Sequence, residues 1–156
     1  MNPLDYLDKE DIKYTVYKHP PVYTVGEAKR LTGDIPGVHC KNLFLRNRNG
    51  QQHYLIVLQE DREVDLRVLS ELIGAKNLSF ASEERLYKYL KLEPGSVSPL
   101  GLVNDETRHV KVYFDKDLYD AEETAFHPNI NTSTIVINTK ELFNFIEALG
   151  YKIQMI

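Results

Sequence analysis

The chain has 156 residues, of which 27% are charged, 42% hydrophobic and 10% aromatic, with a net charge of −4 and a single cysteine. That balance describes one globular domain over 1–156 and excludes collagen, coiled coil and intrinsic disorder. A sequence pI of about 5.7 gives no overall footprint for gripping long nucleic acid by its phosphates, so DNA binding is not expected. Local clusters such as Lys29, Arg30 and Lys41, or Arg46 and Arg48, can still guide one end of an RNA.

Cys40 has no partner for an internal disulfide, which fits a reducing, cytoplasmic setting. The opening MNPLDYLDKED lacks the basic and apolar parts of a signal peptide, and there is no apolar run of ~18 residues, so no membrane association is expected.

In chain order, Asn2-Pro3 starts a short helix reaching about Asp11, because proline at the first helical position forfeits only a donor that has no partner there. Tyr14–Tyr17 reads as a strand. Thr24 and Glu27 fit a capping box for a helix that Gly33 ends. The runs either side of Asn49-Gly50 read as a β-hairpin with a tight turn. Asp65 caps a helix through Ile73, with Leu66, Leu69, Leu72 and Ile73 on one face and Gly74 closing it.

Leu78–Ala81 is the next strand, and Ser82 caps a helix that turns Leu86, Tyr89 and Leu90 inward. Pro94, Gly95 and Pro99 then force a loop. Strands follow at His109–Phe114 and Thr134–Asn138, before a helix capped by Thr139, whose Leu142, Phe145, Ile146 and Leu149 form an apolar stripe up to Gly150. The tail YKIQMI is strand-like and is the element expected to pack elsewhere. Together these predict a mixed α/β (α+β) domain with a largely antiparallel sheet and surrounding helices. No dinucleotide or P-loop fingerprint occurs.

The five histidines and Cys40 never fall in pairs at metal-ligand spacing, so no metal or cofactor is expected. Cys40 is either a nucleophile needing a base from elsewhere or a small buried apolar residue. Lys41-Asn42 heads the apolar strand Leu43-Phe44-Leu45, where the ammonium either snorkels to water or holds a phosphate or carbonyl oxygen. Glycines in Pro94-Gly95-Ser96-Val97-Ser98-Pro99-Leu100-Gly101-Leu102 let amides converge on a concavity, or make a plain connection. His127-Pro128-Asn129-Ile130-Asn131-Thr132-Ser133-Thr134 is rich in hydrogen-bonding groups just before a strand, through pocket or turn chemistry.

Taken in order, HPPVYTVGEA, CKNLFL, YLIVL, LSFAS with EERL, PGSVSPLGLVND and HPNINTST resemble the YbaK/prolyl-tRNA-synthetase-associated editing-domain superfamily, in its free-standing PrdX (ProXp-ala) type. The resemblance spans nearly the whole chain. It implies a mixed sheet partly closed like a barrel, and a trans-editing hydrolase that cleaves a wrong amino acid from tRNA(Pro), with alanyl-tRNA(Pro) the leading substrate. By resemblance, Lys41 orients the aminoacyl end and is the catalytic residue. Gly95, Ser96, Val97, Ser98, Pro99 and Gly101 belong to the loop that holds the substrate, and Asn42 and His127 match pocket residues.

The resemblance also implies that the substrate's ribose hydroxyl helps activate water, and leaves room for transient contact with prolyl-tRNA synthetase. Leu31, Ile35, Leu43, Val57 and Leu102 are the apolar residues from which a size-selective wall is expected. A monomer is the default. Two alternatives stay open, a deacylase for another small amino acid and a module of the same fold that binds an aminoacyl or nucleotide end without cleaving it.

Overall fold

A computed structural model describes residues 3–21, 25–126 and 132–156. The elements in order are α1 (Pro3–Lys9), β1 (Tyr14–Lys18), α2 (Val25–Thr32), β2 (Val38–Arg46), β3 (His53–Gln59), α3 (Leu66–Ile73), β4 (Ser79–Phe80) and α4 (Glu83–Leu90). A 3-10 turn, Pro99–Asn104, precedes β5 (Lys111–Phe114), α5 (Lys116–Tyr119), β6 (Glu123–Phe126), β7 (Ser133–Asn138), α6 (Thr139–Ala148) and β8 (Ile153–Met155).

Local chemistry sets several boundaries. Asp65 caps α3 by accepting the Arg67 and Val68 amides, and Gly74, at φ 69°, closes it in the left-handed conformation that side chains disfavour. Ser82 caps α4 through the Arg85 amide. At α6 the cap is Asn138, whose side chain accepts the Glu141 amide, one residue before the expected Thr139. Thr139 instead buries its hydroxyl 2.7 Å from that of Thr124. The expected caps at Asn2 and Thr24 lie outside the described residues.

Strands run in the order β1-β7-β6-β2-β3-β5-β8, with β4 also against β2. Four pairings are antiparallel (β1·β7, β2·β3, β2·β4, β6·β7) and three are parallel (β2·β6, β3·β5, β5·β8). The sheet is thus mixed with a majority of antiparallel pairings, as expected, and two strands that the sequence reading left out of pairing also enter it in parallel. One is β6, too short to show alternation. The other is β8, which stays in its own sheet instead of packing elsewhere: Ile153 pairs with Val112, and the Ile156 amide donates to the Phe114 carbonyl at 2.9 Å.

The hairpin is where the sequence puts it, but its connection is longer than a tight turn. Asn47 to Gln52 form the loop, with the Gly50 amide on the Asn47 carbonyl at 3.0 Å and Gly50 at φ 71°.

Side chains alternate across β2 and β3 and so serve two apolar layers. Phe44, Leu55 and Val57 join Leu86, Leu90, Leu100, Leu102, Phe114 and Leu142 in the main core. Leu45, Ile56 and Leu58 face Leu69 and Leu78 in a smaller one beneath α3. Leu72, expected inside, is 51% exposed, because α3 is only two turns long and presents Leu69 as its buried contact.

Candidate active site

β2 changes partner along one edge. β6 pairs with it at Val38 and His39, β4 at Leu45 and Arg46, and β3 holds the opposite edge from Cys40 to Arg46. Between the first two contacts the sheet parts, and Lys41 and Asn42 lie at that gap.

Strand alternation sends these two side chains to opposite faces. Asn42 lies between Cys40 and Phe44, both packed with the main core, and pairs with Val57. Its Oδ1 is buried and, among the described residues, has no hydrogen-bond partner. Lys41 pairs with Leu58 on the other face, and its ammonium donates to the Arg62 carbonyl. A buried acceptor and a half-buried cation therefore stand at successive positions of one strand, on opposite faces of the sheet, beside the stretch of edge that β6 and β4 leave between them.

The Gly95 loop belongs to the Asn42 side, since Leu100 and Leu102 sit in the main core and Val97 packs on it. The Ser96 amide donates to the Glu93 carbonyl at 3.2 Å across Pro94-Gly95, with Gly95 at φ 86°, which is the hydrogen bond and the positive φ of a type II turn. Ser98 is buried and caps the 3-10 turn by accepting the Leu100 amide at 3.0 Å, with Pro99 following. The amides of Ser96, Leu100 and Gly101 are thus engaged inside the loop, rather than turned outward as the sequence suggested.

Gly101 meets a packing demand. A side-chain carbon there would stand 2.7 Å from Leu92 Cδ1 and 3.1 Å from the Leu90 carbonyl. Gly95 has open space at the same position.

His127 follows β6 directly in sequence and lies outside the described residues, as do Pro128 to Asn131. Of the expected wall residues, Val57 and Leu102 are fully buried in the core that Asn42 faces. Leu43 packs on the smaller core instead.

Cys40 is tied down, its thiol donating to the Ala125 carbonyl at 3.5 Å. Burial first, and the nearby Glu60 carboxylate second, push its pKa up to about 12. Almost none is thiolate at neutral pH, which suits the buried apolar reading of this residue.

The hairpin's far end holds a polar cluster that sequence reasoning missed. His53 is fully buried, with its Nδ1 3.0 Å from His109 Nε2 and its Nε2 3.1 Å from an Arg85 guanidinium nitrogen that also donates to the Gly50 carbonyl. Arginine only donates, so His53 Nε2 accepts, its proton sits on Nδ1, and Nδ1 donates to His109. Burial, then His109 and the cations Arg85, Lys88 and Arg46, lower the His53 pKa to about 4. The Tyr89 ring covers both imidazoles, 4.4 Å from His53 and 4.7 Å from His109. The two histidines are 56 positions apart, and the one available signal was a histidine and a glutamine opening an otherwise apolar strand.

The fold is a mixed sheet flanked by helices, and it is shared with a solved structure of a candidate trans-editing enzyme for prolyl tRNA synthetase, which aligns with a TM-score of 0.69 at 23% identity over 98% of this chain and 90% of that one. The family model of the aminoacyl-tRNA editing domain matches residues 19–145, and the chain belongs to that family. Among curated relatives, the prolyl-tRNA editing protein ProX of Acetoanaerobium sticklandii is 46% identical over 144 residues, 92% of this chain and 88% of that protein. Prolyl-tRNA synthetase associated domain-containing protein 1 of Danio rerio is 34% identical over 145 residues, 92% of this chain and 78% of that protein.

Proposed function

We propose that this chain is a trans-editing deacylase that hydrolyses the ester of mischarged tRNA(Pro), with alanyl-tRNA(Pro) as its substrate. The observation that carries the reading is the stretch of β2 edge between β6 and β4, which holds the Lys41 ammonium and a buried Asn42 Oδ1 that has no hydrogen-bond partner among the described residues. An aminoacyl ester brings complementary groups. Its α-ammonium or ribose hydroxyl can donate to Asn42, and its carbonyl oxygen can accept from Lys41. Family membership and the 46% identity to a prolyl-tRNA editing protein support the assignment of reaction and tRNA.

In hydrolysis, water adds to the ester carbonyl, negative charge grows on the carbonyl oxygen, and collapse breaks the bond to the ribose oxygen, which takes up a proton. The products are free alanine and tRNA with its hydroxyl restored. Lys41 stabilises the developing oxyanion, a contact stronger in the transition state than in the ground state and therefore one that raises kcat. Because the ester is already activated, the substrate's second ribose hydroxyl suffices to orient the water. Val57 and Leu102 lie in the core behind Asn42 and limit the side chain admitted, so alanine enters where proline is excluded by bulk.

In this reading His127, Gly95, Ser96 and Val97 border the substrate, and the buried Ser98, Pro99 and Gly101 hold the loop that presents the last three. The protein acts in the cytoplasm as a monomer, touching prolyl-tRNA synthetase transiently. No described helix is long and apolar enough to cross a membrane.

The test is release of radiolabelled alanine from alanyl-tRNA(Pro), with prolyl-tRNA(Pro) and seryl-tRNA as comparators, by the native protein and by Lys41→Ala. Rapid, selective alanine release that the variant loses is the expected result. Release of none of the three amino acids by folded native protein overturns it in favour of a binding module.

A further inference from the structure

The turn Gln59–Arg62, which follows β3, closes through the Arg62 amide on the Gln59 carbonyl at 3.0 Å. One carboxylate grips both ends of that turn. Asp115, fully buried where β5 meets α5, accepts the Gln59 amide on Oδ2 at 3.1 Å and the Arg62 guanidinium on Oδ1 at 3.0 Å. Its own amide is fixed on the Val57 carbonyl at 2.8 Å, and its Oδ1 also accepts the Asp117 amide at 3.1 Å. Asp115 therefore cannot shift without moving the sheet.

What the turn presents, so anchored, is the Arg62 carbonyl that accepts the Lys41 ammonium. Lys41 pairs with Leu58, and Val57 with Phe114, so the next row across the sheet brings Lys41, Leu58 and Asp115 into line. A flexible four-carbon side chain at a half-open edge has many rotamers, and a carbonyl at a fixed position selects among them.

We infer that Asp115 and Arg62 are positioning residues for the deacylation, holding the Gln59–Arg62 turn so that its last carbonyl sets the reach of Lys41. The inference rests on the role given to Lys41 above. An ion pair with a guanidinium 33% exposed is by itself a modest contributor to stability, whereas its link to the lysine gives it a kinetic consequence.

The experiment compares steady-state alanine release from alanyl-tRNA(Pro) by native protein, Lys41→Ala, Arg62→Ala, Arg62→Lys and the double variant Arg62→Ala/Asp115→Asn, with thermal melting of each. Arg62→Ala leaves a buried charge unpaired and can fail to fold, and the double variant removes that charge as well. The expected result is a kcat lowered about 10- to 100-fold in the double variant, as for a catalytic group displaced by about 1 Å. KM should stay within about two-fold, the mark of an interaction lost in the transition state alone. Arg62→Lys, which keeps the ion pair, should restore most of kcat.

A folded double variant with native kcat, beside an inactive Lys41→Ala, overturns the positioning role and leaves the deacylase reading intact. Full activity in Lys41→Ala overturns the role of Lys41, and the positioning role with it.

Discussion

The two ends of the β2·β3 ladder carry polar groups of opposite design. At the hairpin end, His53 is enclosed, each ring nitrogen has one partner, and tyrosine covers the pair. At the other end, Lys41 holds a main-chain carbonyl while its neighbour Asn42 keeps a buried oxygen that has no partner among the described residues. Satisfied polar groups in a core fix structure, and an unsatisfied one keeps its desolvation cost until something binds. The contrast teaches where to look on this strand: saturation marks a structural end, and deficiency marks the end at which we propose that the substrate binds.

The sharpest way to break that contrast is to remove one group at each end. Lys41→Ala should lower alanine release by roughly 10²–10³-fold, the scale of losing one oxyanion donor, while shifting stability by under about 1 kcal/mol in urea melts. His53→Ala should do the reverse, costing about 2–4 kcal/mol through a cavity and an orphaned Arg85 donor. Alanine release per folded molecule should hold. If both variants lose activity and stability alike, the two ends do not divide the work.

Titration gives a smaller effect at the hairpin end. The unfolded chain protonates His53 near its ordinary value of 6.5 and the folded protein only near 4, so within that window the unfolded state binds more protons. Stability should fall as pH drops from about 6.5 to 4, by on the order of 1–3 kcal/mol, and His53→Ala should flatten that slope in urea melts run across the range. The smallest effect belongs to Gly50→Ala, expected to cost ~1 kcal/mol by thermal melting, because Gly50 has φ 71° and an added carbon would stand 2.8 Å from the movable Arg85 guanidinium.

Features set by neighbouring residues were legible in the sequence, such as the Asp65 and Ser82 caps and the Gly74 stop, since cap chemistry acts within a turn. Features set by distant partners were not. Thr139 looked like a cap, yet its hydroxyl is claimed by Thr124 from the neighbouring strand. Lys41 and Asn42 were recognisable as a pair at the head of an apolar strand. That both flank one gap depends on where β6 leaves β2 and β4 joins it, and no local pattern encodes that. The Gly95 loop illustrates a further limit. Its glycines suggested outward amides, whereas Gly101 serves close approach to Leu92, a neighbour whose distance only the packing reveals.

The pairing of β1 with β7 joins Tyr14 to Ile137, about 120 residues apart. During translation at ~5–20 residues per second, the first strand waits roughly 6–25 s for its partner to be made. Through that interval the first strand lacks the neighbour it pairs with in the finished sheet, so this edge of the sheet closes only after β7 has been made.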